Sequence, residues 1–159
     1  MLLLQHIGMA ALLVVLTLCL QCAGVTALIS WLRTVASDDI QKLSMSYSAA
    51  LVMRATIAII ILQGIIILLW ASCYRRLCFP SWNSAFYFSA ASYSTVGYGD
   101  VVLPLKWRLL GPLESIMGVM MCGISVSLLF ALITRLVHKN PELRIGADSD
   151  EPRKRSSYG

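Results

Sequence analysis

The sequence predicts an all-α membrane protein with three transmembrane helices and a re-entrant segment between the second and the third. Two observations lead to this fold class. Of the 159 residues, 58% are hydrophobic and only 13% are charged, whereas a soluble domain usually carries about a quarter charged residues. The missing charge is concentrated in long uncharged runs, which is typical of chains that cross a bilayer.

Three of these runs are long enough to span the hydrocarbon core. No Asp, Glu, Lys or Arg occurs in residues 1–32. Arg54 and Arg75 enclose twenty uncharged residues, and Glu114 and Arg135 enclose twenty more. A transmembrane helix needs roughly 20 apolar residues, so each run predicts one spanning helix.

The first helix is predicted at residues 3–34. It could be mistaken for a secretory signal, but no Lys or Arg precedes its apolar stretch and no small-residue cleavage site follows. A cleaved signal normally has both features, so we expect a retained helix.

A linker is predicted at residues 35–50. Within it, Ser37-Asp38-Asp39 has the pattern of an N-cap with acidic first-turn residues. This pattern favours a helical linker that continues into the second span, predicted at residues 51–75, although an irregular linker is the alternative.

A fourth uncharged run, Leu77–Gly99, differs in kind because it contains Pro80, Asn83 and two glycines. Lipid cannot satisfy the backbone of an irregular segment, so such a segment lies at membrane depth only inside protein or beside water. We therefore predict a re-entrant region at residues 79–106. Ser81 can cap a short helix at about residues 82–93, after Phe79-Pro80 breaks the chain.

The last span is predicted at residues 111–138. Gly111-Pro112 can open it, because proline is tolerated in the first turn of a helix. Asn140-Pro141 should stop it, because the residue before proline disfavours helical dihedrals. The polar tail at residues 139–159 has no apolar periodicity and is predicted to be cytoplasmic and disordered.

The segment Thr95-Val96-Gly97-Tyr98-Gly99-Asp100 follows the predicted short helix. Backbone carbonyls can replace the hydration shell of a cation if several successive ones point at one axis. An ordinary strand alternates its carbonyls, so the backbone must enter unusual dihedral regions. Glycine reaches them without steric cost, which gives Gly97 and Gly99 a function in this arrangement.

These six residues resemble the selectivity filter of potassium channels. The flanking order also resembles their pore: outer helix, aromatic-rich pore helix, filter and inner helix. The resemblance covers about residues 51–138. It is strongest to small bacterial channels of the two-pore-domain-like ion channel family, here with one pore segment and an additional N-terminal transmembrane helix.

The resemblance implies a potassium-selective channel subunit with passive conduction and no enzymatic activity. Potassium would be the permeant ion, with no cofactor. The carbonyls of Thr95, Val96, Gly97 and Tyr98 and the Thr95 hydroxyl would coordinate it, Gly99 would complete the filter, and Asp100 would lie at the outer mouth. One pore segment cannot enclose an axis, so the family geometry implies a homotetramer in the lipid bilayer.

A second reading is a non-conducting regulatory membrane subunit that assembles with other channel subunits. Reaction chemistry has little support, because the sequence contains no nucleophile–base constellation or metal-ligand cluster. The positive charge of +5 flanks the spans and does not indicate nucleic-acid binding.

Charge also predicts the orientation. With the filter near the outer face, nine basic residues are cytoplasmic and four external, in agreement with the positive-inside rule. The cytoplasmic ones are Arg33, Lys42, Arg54, Arg135, Lys139, Arg144, Arg153, Lys154 and Arg155. The external ones are Arg75, Arg76, Lys106 and Arg108. We expect a multi-pass protein of the plasma membrane with the N-terminus outside and the C-terminus in the cytoplasm.

The predicted inner helix contains two glycines. Gly123 resembles the glycine at which inner helices of the family bend. The alternative is that Gly118 and Gly123 allow close helix packing. Ile124, Ser127 and Ala131 are candidates for lining the cavity, although a serine in a spanning helix often bonds its own backbone instead.

Four further features leave two readings open. Glu114 either interacts with the dipole of the inner helix or supports the filter. Ala91 occupies a position where some relatives carry a carboxylate that bonds the outer aspartate, so Asp100 needs another partner or has none. Cys73 and Cys78 are either free or joined by a disulfide. The basic residues 153–155 either contact anionic lipid or are solvated.

Overall fold

The computed structural model of the protein describes residues 2–37 and 45–139, which form four α-helices and no strand. The helices are α1, Leu2–Ser37; α2, Met45–Leu77; α3, Trp82–Tyr93; and α4, Leu110–Lys139. A short 3₁₀ turn, Leu105–Trp107, precedes α4. Three segments are long and apolar enough to cross a membrane: Ile7–Thr34, Ser46–Leu77 and Leu105–His138. The predicted fold class, an all-α membrane protein, is therefore confirmed.

α1 and α2 run antiparallel along each other. Trp70 donates its indole N–H to the Thr17 hydroxyl over 3.0 Å, and Gly24 lies against the side chain of Leu62. Positions therefore rise along α1 as they fall along α2. These contacts cover one side of α2, and α3 and α4 cover another.

α3 lies between α2 and α4. The Ser89 hydroxyl oxygen lies 3.0 Å from the Ile67 carbonyl oxygen of α2. On the other side, Ser115 of α4 donates to the Ser92 carbonyl over 2.7 Å. A Cβ on Gly118 would collide with the Tyr93 carbonyl oxygen, so only glycine allows α4 this close to the end of α3.

The core lies where α2, α3 and α4 meet. Its largest side chains with no exposed surface are Trp70, Tyr74, Ile66 and Met121. The ring of Phe88 packs edge-on against Tyr74, with centroids 5.1 Å apart. A helix with apolar residues on all sides is stable only when protein or lipid surrounds it, and the remaining apolar surface of these helices faces outward.

The helix ends differ from the sequence-based expectations mainly around the linker. α1 extends through Ser37, so Ser37 ends a helix instead of opening one, and α2 begins at Met45, inside the predicted linker. α3 has the expected bounds, and the Ser81 hydroxyl accepts from the Asn83 N–H as predicted. Residues 38–44 and the tail from 140, with its basic cluster, lie outside the described residues.

Candidate ion-conduction site

The end of α3 determines how the candidate filter begins. The Val96 N–H donates to the Ala91 carbonyl over 3.0 Å and the Thr95 N–H to the Ser92 carbonyl over 3.0 Å. With Ser94 as C-cap, these two bonds form a Schellman motif, the common termination of a helix. The motif requires a left-handed residue at the position after the cap, here Thr95.

Thr95 occupies this left-handed position with φ of 61° and is the one non-glycine residue with positive φ in the described ranges. Glycine is usual there. A β-branched residue in this conformation is a genuine outlier, and the strain costs roughly 1–2 kcal/mol. Such strain is retained where the structure around it demands a particular side chain.

Positive φ recurs at every second residue along the segment. Thr95, Gly97 and Gly99 have φ of 61°, 52° and 78°, and neither Val96 nor Tyr98 between them is in the left-handed region. Residues of alternating handedness turn their N–H groups to one side of the chain and their carbonyls to the other. The sequence-based expectation that the glycines supply unusual dihedrals therefore holds, and Thr95 joins them.

Two side chains of the segment keep at least half of their surface exposed. Val96 is 52% exposed and Tyr98 is 71% exposed. The backbone that carries them is bound to α3, because the N–H groups of Val96 and Gly97 both donate to the Ala91 carbonyl. The segment is thus held to α3 at one end while its side chains lie open for contact with a neighbour.

Asp100 has the partner that the sequence did not indicate. The Tyr87 hydroxyl donates to its Oδ2 over 2.8 Å, and the Val101 N–H donates to Oδ1 over 2.9 Å. The bond to Asp100 raises the pKa of the Tyr87 phenol, because it favours the protonated donor. The rings of Tyr87 and Tyr98 also stack, at 6.3 Å between centroids.

Tyr87 could have been found from helical spacing. It lies four residues before Ala91, on the same face of α3, and its long side chain reaches Asp100. The hydroxyl therefore connects α3 to the outer end of the segment.

Glu114 lies behind α3 with none of its surface exposed. Its Oε2 accepts from the Tyr74 hydroxyl over 2.8 Å, and its Oε1 accepts from the Ser89 hydroxyl. α4 starts at Leu110, and its first turn carries no acidic residue. The first-turn dipole reading is therefore wrong, and the contacts favour a carboxylate that joins α2, α3 and α4.

A second polar cluster joins α1, α2 and α4 to the end of α3. The Ser125 hydroxyl donates to the Met121 carbonyl over 2.9 Å. Its oxygen accepts from the Gln63 amide over 2.8 Å and from the Gln21 amide over 3.3 Å. The Gln63 Oε1 accepts from the Tyr93 hydroxyl over 2.6 Å. We refer to Gln21, Gln63, Tyr93 and Ser125 as the amide cluster.

The inner-helix candidates have an open face. α4 is continuous through Gly123, and nothing within the described part of the chain lies within 4 Å of a Cβ placed there. Close packing is therefore the function of Gly118, while the hinge at Gly123 stays a prediction. Ser127 bonds the Gly123 carbonyl over 2.9 Å, as the alternative reading has it.

The proposed cavity positions share that open face. Ile124 is 45% exposed, and Ser127 and Ala131 are also exposed. Their function as a cavity lining stays a prediction. Cys73 and Cys78 are free thiols in the described structure, which favours the reading without a disulfide.

Comparison with known families agrees with this geometry. A family model described as ion channel matches residues 55–135, just over half of the chain, and the protein belongs to this ion channel family. It is a multi-pass membrane protein and a subunit of an oligomeric ion channel. No curated protein and no solved structure gives a significant match. The matched region contains α3, the candidate filter and most of α2 and α4, whereas α1 lies before it.

Proposed function

We propose that this chain is the pore-forming subunit of a homotetrameric, potassium-selective channel, with Thr95–Gly99 as its filter. The alternating handedness at Thr95, Gly97 and Gly99 carries the proposal. It turns successive carbonyls to one side, and a ring of such carbonyls can replace the hydration shell of a potassium ion. The permeant ion passes through without chemical turnover, so no cofactor is needed.

Thr95 contributes a hydroxyl oxygen below the carbonyls of the filter. The strained φ supports this function, because glycine would fit the Schellman position at lower cost. The chain keeps a β-branched residue whose Oγ1 is an extra ligand for the ion. Asp100, held by Tyr87, then fixes the outer end of the filter relative to α3.

Four chains are required because one segment cannot surround an axis. The exposed side chains of Val96 and Tyr98 support this stoichiometry, since apolar surface of this size normally packs against a partner. In a tetramer each of these side chains would contact the neighbouring pore helix, and the four carbonyl rows would face the axis.

α3 adds an electrostatic contribution. Its C-terminal end, at Tyr93, adjoins the filter, and a helix C-terminus carries about half a negative charge. Four such ends directed at one cavity would favour a cation before it enters the filter. The positive-inside rule places the N-terminus outside and the C-terminus in the cytoplasm of the plasma membrane.

Potassium flux into liposomes that contain the purified protein tests the proposal. Wild type should pass potassium far better than sodium. Gly97→Ala should reduce flux or selectivity, because an L-residue at φ of 52° is strained by roughly 1–2 kcal/mol. Gly64→Ala is the matched control, since Gly64 is helical, has no positive φ and has open space around it.

The alternative reading predicts a different result. If the purified tetramer passes no potassium but restores or changes the current of a co-assembled channel, the chain is a regulatory subunit. Equal damage from Gly97→Ala and Gly64→Ala would show that the filter backbone is not the sensitive element.

A further inference from the structure

The amide cluster joins the inner helix to the pore helix through one side chain. Gln63 of α2 donates to Ser125 of α4 with its nitrogen and accepts from Tyr93 of α3 with its oxygen. The neutral amide provides a donor and an acceptor on separate atoms, so one side chain can bind a hydroxyl oxygen with its nitrogen and a hydroxyl hydrogen with its oxygen. Gln63 therefore connects the Ser125 hydroxyl of α4 with the Tyr93 hydroxyl of α3.

The direction of each bond is determined by its neighbours. The Ser125 hydrogen is used on the Met121 carbonyl, so its oxygen can only accept, and an amide nitrogen must face it. The Gln63 oxygen then faces Tyr93, whose hydroxyl donates. A rotation of the amide would oppose donor to donor at Tyr93 unless its hydroxyl also turned. In the observed arrangement both the nitrogen and the oxygen of the Gln63 amide have a partner.

Both ends of this connection lie at sensitive positions. Tyr93 is the last residue of α3 and lies two residues before Thr95. Ser125 lies two residues after Gly123, where the inner helix is predicted to bend. Ser125 is also about two turns of helix beyond Gly118, the position at which α4 touches Tyr93 directly. Gln63 thus gives Ser125 a connection to the end of α3 that is separate from that direct contact.

α1 acts on the same point. Gln21 is 2% exposed and donates to Ser125 over 3.3 Å, while its Oε1 has no hydrogen-bond partner among the residues that the structure describes. α1 lies outside the region that matches the channel family. It therefore adds a second donor to the inner helix at the level of the candidate hinge.

We propose that Gln63 is a positioning residue that couples the inner helix to the filter, and that Gln21 of α1 biases this coupling through Ser125. The proposal rests on the proposed function only in taking Thr95–Gly99 as the filter. When α4 moves at Ser125, Gln63 loses or shifts its donor bond and the Tyr93 end of α3 relaxes. The bonds from Val96 and Gly97 to the Ala91 carbonyl then weaken.

Hydrogen exchange of the filter amides tests this coupling without any need for conduction. In the detergent-solubilised protein, Ser125→Ala should speed exchange of the Val96 and Gly97 amides by about threefold or more, the effect expected of coupled residues. In a Gln63→Leu background the same substitution should change exchange by less than about twofold. Ser72→Ala is the matched control, because Ser72 bonds the carbonyl four residues before it and no other helix.

A second variant approaches Ser125 from α1, in case Ser125→Ala does not assemble. Gln21→Leu removes the α1 donor. It should speed hydrogen exchange of the filter amides when Gln63 is intact, but not in the Gln63→Leu background. An equal effect of Ser125→Ala or Gln21→Leu in both backgrounds, or no effect in either, overturns the coupling. A coupled protein that fails to pass potassium contradicts the proposed function alone, and a conducting protein without coupling contradicts this inference alone.

Discussion

Replacing Thr95 by glycine tests whether the start of the filter is strained. Thr95 has φ of 61° at the left-handed position of the Schellman motif. Glycine relieves roughly 1–2 kcal/mol of strain and costs roughly 0.5–1 kcal/mol through its greater freedom in the unfolded chain. The variant should therefore be as stable as wild type or more stable by up to about 1.5 kcal/mol per chain.

Thr95→Ala is the comparison that isolates the backbone. It removes the same hydroxyl but keeps a Cβ at positive φ, so it should be less stable than Thr95→Gly by about 1 kcal/mol. Unfolding by denaturant in micelles, with sodium as the only alkali cation, measures both variants without a contribution from bound potassium. Thr95→Ser keeps the hydroxyl and should retain potassium selectivity, which both other variants should lose in part.

The order of the two stabilities is decisive for the strain argument. If Thr95→Gly unfolds more easily than Thr95→Ala, the threonine is not strained and the reason given for its retention fails. If both variants keep full potassium selectivity, the Thr95 hydroxyl does not coordinate the ion.

Three further predictions concern contacts of α3 and the packing of α4. Tyr87→Phe removes the hydroxyl bound to Asp100 and should speed the loss of current during sustained opening in single-channel records. An unchanged rate of current loss would show that Asp100 does not need this partner. Glu114→Gln opposes an amide donor to one of two hydroxyl donors. It should lower stability by about 1–3 kcal/mol in thermal unfolding of the purified protein, and an unchanged midpoint would contradict the described contacts. Gly118→Ala should lower the free energy of unfolding by about 1–3 kcal/mol through overpacking against α3. Gly123→Ala, which lies in open space, should raise it by up to about 1 kcal/mol. Similar values for both variants would refute the packing argument.

The elements with local signals were predictable from the sequence. Ser81 after Phe79-Pro80 predicts the start of α3, because its hydroxyl satisfies a free N–H at the helix end. Uncharged length predicts the spans without knowledge of any contact. The glycines of the filter predict positive φ for the same local reason.

The contacts between helices were not predictable in the same way. A glutamine such as Gln63 in an apolar span indicates that a partner exists, since lipid offers none, but its partners Ser125 and Tyr93 are distant in sequence. Their pairing depends on the register of α2 against α4. Thr95 was missed as a left-handed residue because propensity alone predicts glycine there. In the proposed filter, the ligand oxygen of the Thr95 hydroxyl is the reason that threonine is kept.

The central claim is selective passage of potassium through the Thr95–Gly99 segment, and the reversal potential measures it most directly. The purified protein is placed in a planar bilayer with potassium on one side and sodium at the same concentration on the other. The reversal potential of the current should lie far from zero, with the sign that opposes movement of potassium out of the potassium compartment. In the Gly97→Ala variant this displacement should shrink or the current should vanish. A wild-type current that reverses near zero would contradict the account.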